Sequence, residues 1–193
     1  MTLGYWDVKA SFVVPTDLDP IQRHPKAAGP GVAIRMHNPT CFGCGDQSPR
    51  GLHLSVRAAD DPQEQFTVQT EMEVAPWMEG GPGVIHGGIL STAFDEVMGT
   101  APLLVGPSAV TVHLEVDFIA PIPLGSTLYL RAEILGRQRR KIYVAATAHI
   151  GDPDSPVAVG HSIFVTINAR EHFAEHIENS QLADEHKQRL SRP

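Results

Sequence analysis

One segment limits the folds open to this chain more than any other. From about 86 to 104, apolar residues fall at Ile89, Leu90, Ala93, Phe94, Val97, Met98 and Ala101, the spacing of a helix with a broad buried face. Ser91, Thr92, Asp95, Glu96 and Gly99 occupy its other side. The flanks read as strands. Leu52, Leu54 and Val56 alternate with polar positions, and Phe66, Val68, Met72 and Val74 do so less cleanly. After the helix, Val110, Val112, Leu114, Val116 and Phe118 alternate strictly with Thr111, His113, Glu115 and Asp117. Further strands are predicted over 126–135, about 141–150 and 157–167, separated by Pro- and Gly-containing turns. Short links imply antiparallel neighbours. A lone helix with a wide apolar face is most economically buried by a sheet that curls around it. The expected fold is therefore α+β, an antiparallel sheet wrapped around one long central helix.

At 193 residues the chain has the length of one domain with a real core. Residues 1–40 hold Pro15, Pro20, Pro25, Pro30 and Pro39 with little periodicity and read as an arm draped over the domain. Residues 41–168 form the domain itself, and 169–193 a polar, loosely helical tail. A formal charge of -7 argues against a nucleic-acid partner. No apolar run is long enough to span a bilayer, so no membrane insertion is expected. The N-terminus lacks the pattern of a secretory signal. With two cysteines there is no disulfide framework, and a reducing cytoplasm is the default location. No internal repeat, dinucleotide fingerprint or phosphate loop is present.

A Gly-rich turn, Gly81-Pro82-Gly83-Val84-Ile85-His86-Gly87-Gly88, leads into the helix. Gly87 and Gly88 can expose backbone N–H groups at a helix start, where the dipole favours negative charge and a carbonyl can be polarised. Asp95 can serve as base or nucleophile. Taken singly, a Gly-Gly is more often a turn, a helical Asp is usually solvated, and His86 is a cap or core residue. Together they form a constellation with one geometric restriction. Gly88 and Asp95 share a helical face but lie roughly 10 Å apart by helix rise. One chain cannot grip one carbonyl with both, so a catalytic reading needs a second helix, most simply from a two-fold partner.

The segment resembles the hotdog-fold acyl-CoA thioesterases of the phenylacetate-pathway type, in which His-Gly-Gly is followed by an acid on the central helix. Residues 79–88 look especially like the mitochondrial thioesterase-superfamily branch, which also has a Thr on the next strand, here Thr111. Cys41-Phe42-Gly43-Cys44-Gly45 ahead of Gly51-Leu52 is likewise common in this group. The resemblance covers roughly residues 38–168. It implies a hotdog fold and hydrolysis of acyl-CoA, medium to long in chain, to fatty acid and coenzyme A. Asp95 would activate water, the Gly87 N–H of the other subunit would polarise the carbonyl, His86 would position the thioester, and Thr111 would orient the water or Asp95. Gly88, Glu79 and Gly80 would adjoin the substrate. A homodimer or dimer of dimers is implied, with no cofactor beyond the coenzyme A of the substrate. Many relatives carry Asn or Gln six positions before the His, where this chain has Gly80. Glu96 is a rival acid, but one residue along a helix turns a side chain by about 100°, and the family spacing falls on Asp95.

Other signals are weaker. Arg137, Arg139, Arg140 and Lys141 lie at a strand connection where hotdog enzymes often meet coenzyme A phosphates; a solvated hairpin tip is the plain alternative. Cys41 and Cys44 could begin a zinc site with His37 or His53, but the second cysteine pair is missing, so a tight turn and no metal are expected. His113, Glu115 and Asp117 are assigned to the Thr111 face of their strand. The other readings of the constellation are a non-catalytic acyl-CoA-binding module and a hydratase or dehydratase on the same fold. The acid nine residues after His86 argues against the latter.

Overall fold

The apolar stripe forms helix α1, Gly87–Thr100, which buries Leu90, Ala93, Phe94, Val97 and Met98. In the computed structural model, which describes residues 12–34, 38–106 and 108–182, this helix ends sooner than its periodicity suggests. Pro102 has no N–H to continue the ladder, so the Ala101 N–H turns to Met98 O and the chain tightens into a 3-10 segment, Ala101–Leu104.

Among the described residues six strands surround α1: β1 Arg57–Ala58, β2 Thr67–Glu73, β3 Ala109–Phe118, β4 Thr127–Gln138, β5 Lys141–His149 and β6 Ala158–Thr166. They form one sheet in the order β1-β2-β4-β5-β6-β3, with every pair antiparallel. The fold is the hotdog. Its core is the helix-facing side of the sheet, where Val68, Leu128, Leu130, Ile142, Val144 and Phe164 close over Phe94 and Met98.

Two local expectations change. Leu52, Leu54 and Val56 are buried in alternation, as a strand would be, yet they do not join the sheet. Leu52 and Leu54 donate to Phe42 O and Gly43 O, and Val56 O accepts from Ile34. The ladder starts only at Arg57. The second change is in β3. Its register against β6 shifts between Thr111 and His113, a bulge at Val112, which is 57% exposed. The bulge inverts the alternation. Thr111 lies opposite buried Phe164 and Leu114 opposite buried Ser162, whereas His113 and Glu115 lie opposite Ile163 and His161 on the outer face. Thr111 therefore shares the helix-facing side with Ala109, Leu114 and Val116, and not the side of His113 and Glu115.

Part of the proline-rich segment lies on the domain. Asp19 bridges Arg137, the His24 N–H donates to Leu104 O (2.8 Å), and Ile21, Ala27, Ala28 and Ile34 pack against the core. Residues 1–11 and His37 lie outside the described residues, as do 183–193 of the tail. The rest of the tail carries the short helix α2, Ala169–Phe173. No helix among the described residues is long and apolar enough to cross a membrane.

Candidate active site

The turn ahead of α1 is held from several sides. Gly80 N–H donates to Val84 O, Ile85 N–H to Ile122 O and His86 N–H to Met78 O, all at 2.7–3.0 Å. Gly83 adopts φ +76°, a left-handed conformation suited to glycine. Its N–H is taken by Glu79 Oε1 at 2.8 Å. Glu79, a candidate substrate contact, is thus a brace of the turn. Gly80 is forced by packing: a Cβ there would stand 2.6 Å from His86 Cα. The polar side chain that relatives place at this position has no room in this turn. Gly80→Ala is expected to cost about 1–3 kcal/mol of stability, as overpacking does, measurable by urea unfolding.

His86 caps the helix, its Nδ1 accepting from Gly88 N–H at 2.9 Å. An accepting ring nitrogen bears no proton, so the neutral ring carries its hydrogen on Nε2. The bond also divides the two glycines that the sequence treats alike. Gly88 N–H is spent on His86 and is not available to a substrate. Gly87 N–H, the first of the helix, has no acceptor among the described residues. It remains as a donor at the positive end of the dipole.

Asp95 sits two turns further along α1, half-buried. Thr111 Oγ1 donates to Asp95 Oδ1 at 2.8 Å. This contact depends on the β3 bulge, which turns Thr111 toward the helix. It leaves Oδ2 as an acceptor for a further donor. Thr111→Val is expected to lower turnover about 10- to 100-fold, since a hydrogen bond to a charged group is worth about 1.5–3 kcal/mol and 1.36 kcal/mol is a factor of ten in rate. Steady-state kcat with unchanged KM is the readout.

Glu96 points elsewhere. Cys41 Sγ donates to Glu96 Oε2 at 3.5 Å, and Cys41, Cys44 and Glu96 form one cluster. Hydrogen bonding with Cys41, then burial and Glu96, push the Cys44 thiol well above its ordinary range. His53, a candidate metal ligand, instead bonds Gly45 O through Nδ1 at 2.7 Å.

Within one chain Gly87 and Asp95 are eight residues apart on α1, about 12 Å by helix rise. They also adjoin opposite ends of β3. A Cβ at Gly87 would lie 3.3 Å from Phe118, whereas Asp95 meets Thr111. Beside Gly87 an apolar groove of about 320 Å³ is lined by Val84, Ile85, Leu90, Phe118, Ile119 and Pro121.

The basic residues occupy the β4–β5 hairpin tip, where Arg139 has φ +55°. Arg137 Nε donates to Arg139 O (2.7 Å), and Arg140 donates twice to Thr166 O (3.0 and 2.8 Å). Asp19 accepts from the Arg139 backbone N–H, and Asp17 from Gln138 (2.9 Å). Two of the four side chains are therefore committed to backbone carbonyls. Lys141 lies opposite Val165, and Val165 opposite Val110. Two strand spacings, about 10 Å, separate Lys141 from the neighbour of Thr111. On the outer face, Glu115 is bracketed by His113 (3.3 Å) and His161 (3.6 Å), a grouping that spacing alone does not reveal.

Residues 82–157 match the family model described as Thioesterase superfamily. The acyl-coenzyme A thioesterase THEM5 of Mus musculus is 29% identical over 100 residues, 52% of this chain and 40% of that protein. The chain spans about two fifths of the length of the curated relatives it matches. A solved thioesterase superfamily protein superposes with a TM-score of 0.60 at 22% identity, covering 71% of this chain and 69% of that one. The E. coli PaaI protein from the phenylacetic acid degradation operon superposes with a TM-score of 0.54 at 21% identity, covering 61% and 81%. These two structures share the fold.

Proposed function

We propose that this chain, whose residues 82–157 match the Thioesterase superfamily model, hydrolyses acyl-CoA thioesters in a site shared by two copies of itself. One observation carries the reading: Asp95, held by Thr111 at 2.8 Å, lies about 12 Å by helix rise from the Gly87 N–H of the same chain.

The sheet supplies a way to close that gap. Strand β3 is an edge, and among the described residues nothing pairs with its outer side. Two β3 strands related by a two-fold axis pair antiparallel, so the Phe118 end of one meets the Thr111 end of the other. Gly87 rides with Phe118 and Asp95 with Thr111, so the same operation brings each turn to the partner's acid. The stripe of exposed Gly88 and half-buried Ser91, Thr92 and Asp95 suits close approach of two helices. The hydroxyls of Ser91 and Thr92 already bond back to Gly87 O and Gly88 O at 3.0 and 2.9 Å.

In this site Asp95, held by Thr111, takes a proton from water as the water oxygen attacks the thioester carbon. The developing oxyanion is met by the Gly87 N–H across the interface. The C–S bond then breaks, the sulfur leaves with the electron pair, and the proton held on Asp95 passes to it. The products are the carboxylic acid and the thiol, with water as the only co-reactant. The acyl chain, of medium to long length, lies in the apolar groove beside Gly87. The coenzyme A phosphates meet Lys141 and the Arg139 side chain. THEM5 bears the name of an acyl-coenzyme A thioesterase, which supports this substrate class.

Release of free thiol from a panel of acyl-CoAs, short to long, tests the assignment. Turnover highest with medium or long chains is expected. Tight acyl-CoA binding without thiol release would replace the enzyme with a binding module.

A further inference from the structure

We propose that Cys41, Cys44 and Glu96 bind one zinc-type divalent cation, which staples the loop before the sheet to helix α1. The Sγ atoms of both cysteines and a carboxylate oxygen of Glu96 all lie within 4.8 Å of one another. Cys41 Sγ and Glu96 Oε2 are 3.5 Å apart. Ligands bound tetrahedrally at zinc distances of about 2.3 Å for sulfur and 2.0–2.2 Å for oxygen stand roughly 3.6 Å from each other. The set is therefore one small side-chain adjustment from closing on an ion. Two sulfur ligands select a soft cation over magnesium or calcium, and three protein ligands leave the fourth position to water.

The surroundings are built for this arrangement. A Cβ at Gly43 would fall 2.1 Å from Glu96 Oε2, so glycine opens the space that the carboxylate fills. Gly43 N–H donates to Cys41 Sγ at 3.3 Å, which fixes the position of that sulfur beside Glu96. Gly45 N–H closes the loop on Cys41 O at 2.9 Å. Leu52 and Leu54 N–H anchor it through Phe42 O and Gly43 O at 2.8 and 2.9 Å. The donors are thus placed by hydrogen bonds that need no ion. On binding, the two thiol protons pass to solvent and the cation balances two thiolates and one carboxylate. Counting cysteines argues for no metal because the third ligand comes from a helix 55 residues away. The site is separate from the Asp95 face, from which Glu96 is rotated by about 100°.

The full chain, purified without chelator from zinc-supplemented culture, is expected to carry about one zinc per chain by elemental analysis. Cobalt added to stripped protein should give a thiolate-to-cobalt charge-transfer band. Cys41→Ser and Cys44→Ser should abolish that band, and Glu96→Gln should weaken cobalt binding by roughly 10-fold or more, at least the cost of losing a supporting ligand contact. Asp95→Asn should leave the metal content unchanged, which separates this site from the hydrolytic one. Substoichiometric zinc with no band on cobalt titration of the wild type would overturn the proposal, even if the cysteine variants fail to fold. A Cys41–Cys44 disulfide in the protein as purified would overturn it too.

Discussion

Asp95→Asn is expected to lower kcat by about 10²–10⁴-fold, the range supplied by a positioned general base, with KM little changed. The substitution is nearly isosteric and the site is half-exposed, so the fold should be untouched. Thr111 can still donate to the amide oxygen, as it does to Oδ1 at 2.8 Å. What disappears is the ability to accept a proton from water. Because substrate binding involves the groove at Gly87 and the hairpin tip, affinity for acyl-CoA should survive. Steady-state kinetics with thermal melting distinguish this outcome from unfolding, which would lower both.

Gly87→Pro is expected to reduce kcat by about 10²–10³-fold, the cost of one oxyanion donor. Removing a backbone N–H normally disturbs a fold, but this position is unusually tolerant. Gly87 is the first residue of α1, where proline is favoured because its missing N–H has no helical partner. His86 before it already holds φ -72° and ψ 131°, the extended conformation proline demands of its predecessor. A Cβ there would meet the Phe118 ring at 3.3–3.4 Å, a flexible neighbour. Circular dichroism should therefore show the helix intact while turnover collapses. Wild-type kcat in the variant would remove Gly87 N–H from the mechanism.

The fold was largely legible because its signals are local. The 86–104 stripe and the four strands after it follow from period alone, whereas Asp95 is singled out only by the family resemblance, whose acid stands at that distance from the His. The misreadings share a cause, which is that tertiary pairing decides them. An unbroken alternation from Val110 to Phe118 conceals the bulge at Val112, and with it the turn of Thr111 toward Asp95. The segment around Leu54 has strand periodicity, but its hydrogen bonds go to the 41–45 loop. Gly87 and Gly88 are equivalent as letters and differ only once His86 Nδ1 selects one of them. Glu96 and the two cysteines meet across the chain, and no motif spacing joins them.

The claim that each site is completed by a second copy is tested most directly by mixing the two inactive variants. Asp95→Asn and Gly87→Pro are unfolded together, refolded at equal concentration and assayed for thiol release. A hybrid dimer then has one site built from the intact Gly87 of one chain and the intact Asp95 of the other, and one site lacking both. If chains assort at random into dimers, half the dimers are hybrids with one of two sites restored. Recovery of about a quarter of wild-type activity is the expected result. Activity that stays at the level of the separate variants, in a mixture shown to contain hybrids, would place both groups in one chain and contradict the shared site.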